Sequence, residues 1–304
     1  MSDQPDERSF PGARRPDRTR RHDAAGIGIS VYEWGQETDP VLFLVHGGSD
    51  FARTFDVFAP LLAAGGWRVV SWDHRGHGAS DHAALYGWDA DIRDALSVMA
   101  SVTDGPAPVV GHSKGGALML QLCDGSPYRI SRMVNIDGMP SKRRMPDVPD
   151  HDQSRMLANE IGGWLDFRHE AGSSIRKPGT LEELAQRRGR MNPRLTKEWL
   201  EYLVSVGAQR SDDGWRWTLD PSMRFGGFGP WRPEWSSLRM AALTVPFLGF
   251  LGTVDEPMGW GARARDVKPW LPAGGRLEVL DGVGHFIHIE EPDHVASAVL
   301  EFLS

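Results

Sequence analysis

A chain of 304 residues has length enough to bury a large core without staples, as one α/β domain or two. Its single cysteine, Cys123, excludes an internal disulfide and argues against a cysteine-based metal site. A net charge of −7, with no basic block outside the N-terminus, argues against nucleic acid as the main partner, and no apolar run approaches the ~20 residues of a membrane span.

Residues 1–25 are polar and carry Arg8, Arg14, Arg15, Arg18, Arg20 and Arg21 with three prolines. They lack the apolar core of a secretory signal, and Asp3, Asp6, Glu7, Asp17 and Asp23 weaken a transit-peptide reading. The expectation is a disordered tail on a cytoplasmic protein. Ile27 to Trp34 alternates as an edge strand would, and Val41 to Val45 is a continuous run suited to a strand buried on both faces. His46-Gly47-Gly48-Ser49 closes it. Helical spacing follows over Phe51 to Ala64, then a strand over Trp67 to Trp72, the polar loop Asp73-His74-Arg75-Gly76-His77-Gly78, and a helix over Trp88 to Met99.

Pro108, Val109 and Val110 form the next strand, which runs straight into Gly111-His112-Ser113-Lys114-Gly115-Gly116 and a helix from Ala117. Ile130 to Ile136 is a further strand, closed by Asp137-Gly138. Residues 138–240 then break the pattern, with no convincing buried strand. Three helices are expected there: Asp152 to Phe167, Thr180 to Arg190 with Thr180 and Glu183 spaced as a capping box, and a third from Asn192-Pro193 to Val206. The segment holds Trp164, Trp199, Trp215, Trp217, Trp231 and Trp235, half of the 12 tryptophans, which mostly serve packing. The strand pattern resumes over Val245 to Leu251. A helix at Ala262 to Trp270, a strand at Leu277 to Leu280 and a helix at Pro292 to Leu303 complete the chain. Strands alternating with helices imply a mostly parallel sheet covered on both faces, into which residues 138–240 are inserted.

A serine between glycines at a strand-to-helix junction has the form of a nucleophile elbow, a turn that exposes the hydroxyl above the sheet edge. Serine needs a base within hydrogen-bond reach, and His285 follows the last strand in a glycine-rich loop. The base needs a carboxylate to fix its tautomer. Asp255 is the first choice and Asp137, which also ends a strand, is its rival. Oxyanion donors are expected from the backbone N–H groups of Lys114 and Gly48. Asp73, His74 and His77 lack the spacing of a metallo-hydrolase, and His46 reads as structural.

From about residue 26 to the end, these pieces resemble the α/β-hydrolase superfamily: the His-Gly-Gly turn, the Asp-His-Arg-Gly-His-Gly loop, Gly-His-Ser-Lys-Gly-Gly, a strand-end aspartate and Gly-His-Phe near the C-terminus. The resemblance implies an eight-stranded, mostly parallel sheet, with a core of residues 26–137 and 241–304 and a helical cap at 138–240. Serine at the elbow departs from haloalkane dehalogenases and epoxide hydrolases, which use aspartate there. His112 stands where C–C bond hydrolases often have asparagine, and Lys114 where relatives often carry an uncharged residue, so its side chain is expected to bias the site towards anionic substrates. The reading is a cofactor-free serine esterase with Ser113, His285 and Asp255 as its triad. Gly47, His112, Trp164 and Phe286 are expected at the substrate. The partner is a small to medium apolar molecule, with neither metal nor membrane, and a homo-oligomer is compatible with the sequence. C–C bond cleavage, lactonase or perhydrolase activity, and a slow-turnover ligand receptor are the competing readings.

Overall fold

The computed structural model describes residues 7–84, 86–140, 162, 170, 175–223 and 233–304. Eight strands form one sheet: β1 (Arg18–Asp23), β2 (Gly28–Trp34), β3 (Val41–Val45), β4 (Arg68–Trp72), β5 (Ala107–His112), β6 (Ile130–Ile136), β9 (Phe247–Gly252) and β10 (Arg276–Leu280). Their spatial order is β1-β2-β4-β3-β5-β6-β9-β10. The first two pairings, β1 with β2 and β2 with β4, are antiparallel, and all the others are parallel. Parallel neighbours bring the C-terminal ends of β3, β5, β6 and β9 to one edge, where such folds bind their ligands.

The period-two alternation of the strands divides the core between the two faces. On one face, Phe43, Val45, Val70 and Val109 pack under Ala95, Val98 and Met99 of α2 (Trp88–Ala100) and Leu118 and Leu122 of α3 (Lys114–Gly125). On the other, Leu42, Leu44, Val69 and Val110 meet Phe58 and Leu62 of α1 (Phe58–Ala64) and Val295 and Val299 of the C-terminal helix Pro292–Leu303. Between β6 and β9 the described part of the insertion holds α4 (Leu181–Gly189), α5 (Lys197–Gly207), the hairpin β7 (Ala208–Ser211) and β8 (Gly214–Trp217), and α6 (Pro233–Ala241). Thr180 and Glu183 make the expected capping box, each side chain bonded to the other's N–H at 3.1 Å. The cap packs through Trp199, Leu203 and Trp215 onto Phe51 and Phe286 of the core.

Three expectations need correction. Residues 18–23 of the expected tail form the edge strand β1, and Arg18 and Arg20 on its inner side reach the buried Glu33, which Arg68 also meets at 2.8 Å. Burial disfavours the Glu33 charge, but the bonds from Arg68 and Arg18 outweigh it and hold its pKa below the usual value. Upstream, Phe10 lies edge-on to Trp199, with ring centroids 4.8 Å apart. The third cap helix is capped by Thr196, whose hydroxyl accepts from Trp199 N–H, and Asn192 is instead buried in the turn before it. The β7–β8 hairpin escaped the sequence pattern because its strands have four residues each and Gln209, Arg210 and Ser211 are exposed. The expected helix at Asp152 to Phe167 lies outside the described residues.

Candidate active site

Ser113 occupies the turn between β5 and α3 with φ 51° and ψ −121°, a left-handed conformation that costs a non-glycine residue about 1–3 kcal/mol. The surrounding contacts impose it. Ser113 N–H donates to the Ile136 carbonyl at 2.9 Å, tying the elbow to the end of β6. A Cβ on Gly111 would sit 2.6 Å from the Gly115 carbonyl oxygen, and one on Gly115 would overlap the Val45 carbonyl. Both glycines are therefore steric requirements of the turn. Lys114 is the first residue of α3, so its N–H has no acceptor within the helix.

The His285 side chain is 2% exposed, and its Nδ1 lies 2.5 Å from Asp137 Oδ2. Two further bonds fix the main chain of His285: its N–H donates to Glu256 at 2.5 Å, and its carbonyl accepts from His112 Nε2 at 3.0 Å. With Nδ1–H directed at a carboxylate, Nε2 is the nitrogen left without a proton and able to accept one. Asp137 follows β6 directly with φ 48°, and its N–H bonds to Phe250 of β9. A Cβ on the next residue, Gly138, would overlap the Ser113 carbonyl, so the Asp137–Gly138 turn is packed against the elbow itself.

This overturns the placement of Asp255 beside His285. β9 ends at Gly252, and Asp255, three residues on, is exposed and paired with Arg263 at 2.5 Å. The intervening Thr253 and Val254 bond to Leu280 and Val283 at the sheet's far edge, which carries the chain away from Ser113 before Asp255 is reached. The same loop returns with residues the sequence did not single out. Trp260 Nε1–H donates to Ser113 Oγ at 3.2 Å, and Glu256 holds the His285 N–H. Their only sequence signal was position, in the loop after a strand that ends at the site.

The other expected residues divide by role. Gly47 lies against the elbow, where a Cβ would come 3.1 Å from both His112 Nδ1 and Ser113 Cβ. His112 and Phe286 are each 1% exposed, and both pack beneath the His285 loop. Burial lowers the His112 pKa well below its usual value, followed by the charges of His288 and His285, so the ring is neutral. The Lys114 ammonium pairs with Asp91 at 2.6 Å, over the Trp88 ring, and its charge is compensated within the core. That removes the bias towards anionic substrates expected of it. His46 accepts from His74 N–H, and His74 returns a bond to the His46 carbonyl. Burial lowers His74 to about 4 and His77 to about 3, as suits neutral rings that brace a loop. Trp164 lies outside the described residues. Among the described residues, no helix is long and apolar enough to cross a membrane.

BpoC of Mycobacterium tuberculosis, which carries a non-heme bromoperoxidase name, is 26% identical over 90% of this chain and 97% of its own. The mouse sn-1-specific diacylglycerol lipase ABHD11 is 23% identical over 89% of this chain and 83% of its own. In structure, the thioesterase domain from the curacin biosynthetic pathway superposes with a TM-score of 0.77 at 23% identity, covering 93% of this chain and 98% of that one. The sequence matches the alpha/beta hydrolase family over residues 42–298, and the chain belongs to that family.

Proposed function

We propose that the protein is a serine hydrolase that cleaves a carboxylic ester, or a similar acyl bond, through an acyl-enzyme. The observation that carries this reading is a serine on a strained elbow, packed against the turn whose Asp137 carboxylate meets Nδ1 of the buried His285 at 2.5 Å. Ser113 Oγ forms a bond to the substrate carbonyl carbon while its proton passes to His285 Nε2. The carbonyl oxygen takes up the negative charge, facing the N–H groups of Lys114 and Gly48. Collapse breaks the ester bond, and the departing alkoxide takes the proton from His285. Water then repeats the sequence on the acyl-enzyme, giving its proton to His285 and releasing the acid and Ser113. Asp137 keeps Nε2 free of a proton in the resting state and stabilises the imidazolium that forms at each step.

The family includes members named for several chemistries, so the bond cleaved rests on the nucleophile. A fluorophosphonate probe and a series of 4-nitrophenyl esters of increasing acyl length test it. Labelling and turnover that both vanish in Ser113→Ala are expected, and labelling that survives the substitution overturns the reading.

A further inference from the structure

The inward face of α4 carries Leu181, Leu184 and Ala185, all buried, at the spacing of a core-facing helix. The next position on that stripe is Arg188, a charge where the pattern calls for an apolar residue. Its guanidinium crosses from the cap to the oxyanion loop, where Nη1–H donates to the Ser49 carbonyl at 2.5 Å. The group also lies 5.9 Å from the centre of the Phe286 ring, the residue after His285. One edge of Arg188 is thus fixed within the shell of residues that hold Ser113 and His285.

The opposite edge makes no hydrogen bond. Nε and Nη2 of Arg188 are fully buried, and neither has a hydrogen-bond partner. Among the described residues the acid beside it is Asp50, which forms an ion pair with Nη2 at 3.6 Å but without hydrogen-bond geometry. A buried charged donor left unpaired costs more than the ~1–3 kcal/mol of a neutral one, so a purely structural strut would be expected to pair these atoms. Burial raises the Asp50 carboxyl pKa despite the Arg188 charge, which weakens its compensation of the guanidinium. The pair Nε–H and Nη2–H forms the planar two-donor fork that matches a carboxylate, and a single ammonium cannot reproduce it.

Resting on the serine-hydrolase reading, we propose that the Nε/Nη2 edge of Arg188 is a substrate subsite that takes a carboxylate carried beside the scissile ester. The substrate is then a half-ester of a dicarboxylic acid, or an ester whose alcohol part bears the carboxylate. The shared chemistry is one anionic oxygen pair held by the cap while the ester carbonyl lies over Ser113.

Two isosteric pairs test the proposal by initial rates in a pH-stat. Monomethyl adipate against methyl hexanoate reads a carboxylate on the acyl side, and 4-(butyryloxy)benzoate against 4-methylphenyl butyrate reads one on the alcohol side. A charged fork is worth roughly 10- to 100-fold, so kcat/KM for the carboxylate member of one pair should exceed its isostere by that factor. Arg188→Lys keeps the charge and loses the fork, and the ratio should fall several-fold. Arg188→Gln should bring it to about one or below, because Asp50 then faces the incoming anion alone. If Arg188→Gln does not fold, the wild-type ratios and Arg188→Lys decide. Wild-type ratios near one in both pairs, or a ratio that Arg188→Lys leaves intact, overturn the subsite while ester turnover stands. Absence of both turnover and fluorophosphonate labelling instead overturns the hydrolase reading beneath it.

Discussion

Replacing Asp137 by asparagine removes one oxygen's charge and leaves the backbone almost undisturbed, because asparagine tolerates the left-handed conformation held at φ 48°. The consequence for His285 is large. If the asparagine amide turns its NH2 towards Nδ1, that nitrogen must accept, the proton moves to Nε2, and the ring can no longer take the Ser113 proton. If it turns its oxygen, the tautomer survives but the imidazolium loses its counter-charge at 2.5 Å, in a site where the two side chains are only 2% and 11% exposed and solvent screens little. Substitutions of this kind at serine triads cost about 10³–10⁴ in kcat, or roughly 4–5.5 kcal/mol at 1.36 kcal/mol per decade. Asp255→Asn removes a surface ion pair with Arg263, worth about 0–1 kcal/mol of stability, and should leave kcat within about twofold. Steady-state rates on a short 4-nitrophenyl ester and the fluorophosphonate labelling rate read both variants, with the melting temperature as a control for folding. Asp137→Gly sharpens the test: glycine accepts the positive φ, so the protein should melt no lower by reason of backbone strain and still be inactive. A loss below tenfold in Asp137→Asn, or a larger loss in Asp255→Asn, would refute the assignment of the acid.

Trp260→Phe removes the N–H that meets Ser113 Oγ and should lower kcat about three- to tenfold, with a smaller change in KM, as suits one lost hydrogen bond. An unchanged kcat in stopped-flow and steady-state assays would make that contact incidental. Gly115→Ala should unfold the elbow or destabilise the protein by at least about 1–3 kcal/mol, since its Cβ would meet the Val45 carbonyl; chemical denaturation measures it. His288 is fully buried among Phe55, Phe58 and His112, with neither ring nitrogen bonded. Burial, followed by the charge of His285, lowers its folded pKa to about 3. The unfolded chain binds that proton from about pH 6.5 downwards and the folded one does not, so the histidine's contribution is full above 6.5 and is lost as pH falls towards 3. His288→Phe removes this loss. Its advantage over wild type in urea denaturation should therefore grow by about 2 kcal/mol between pH 8 and pH 5, and a pH-independent difference would contradict the buried neutral ring.

The sheet was legible because most of its buried strands are short, largely apolar runs with glycine, aspartate or proline close to their ends. The elbow was legible because Gly111 and Gly115 are steric necessities that appear as letters. Choosing between Asp137 and Asp255 needed information that letters do not carry. Both follow a strand, but one turns left-handed at once and packs against Ser113, whereas the other is reached after two residues that run to the far edge. β1 was hidden for a related reason. Arg18 and Arg20 read as solvated charge until Glu33, on the neighbouring strand, is seen to be the buried carboxylate they neutralise.

Moving the carboxylate to the end of β6 does not release the loop after β9 from the site. Glu256 holds the main chain of His285, Trp260 donates to Ser113, and a Cβ on Gly259 would lie 3.6 Å from the His285 side chain. The loop therefore touches both His285 and Ser113 without supplying the carboxylate at Nδ1. Two separate segments then orient one imidazole, the β6 turn through its ring and the β9 loop through its backbone. Such a division allows the ring's electrostatics and its position to be perturbed independently. Glu256→Gln keeps a carbonyl oxygen for the His285 N–H and should cost activity far less than Asp137→Asn. Glu256→Ala, which leaves that N–H buried and unpaired, should cost about 1–3 kcal/mol in stability as well as rate, by urea denaturation and ester turnover measured on the same samples. Equal losses in Glu256→Gln and Asp137→Asn would mean that both carboxylates act through charge, and the division argued here would fail.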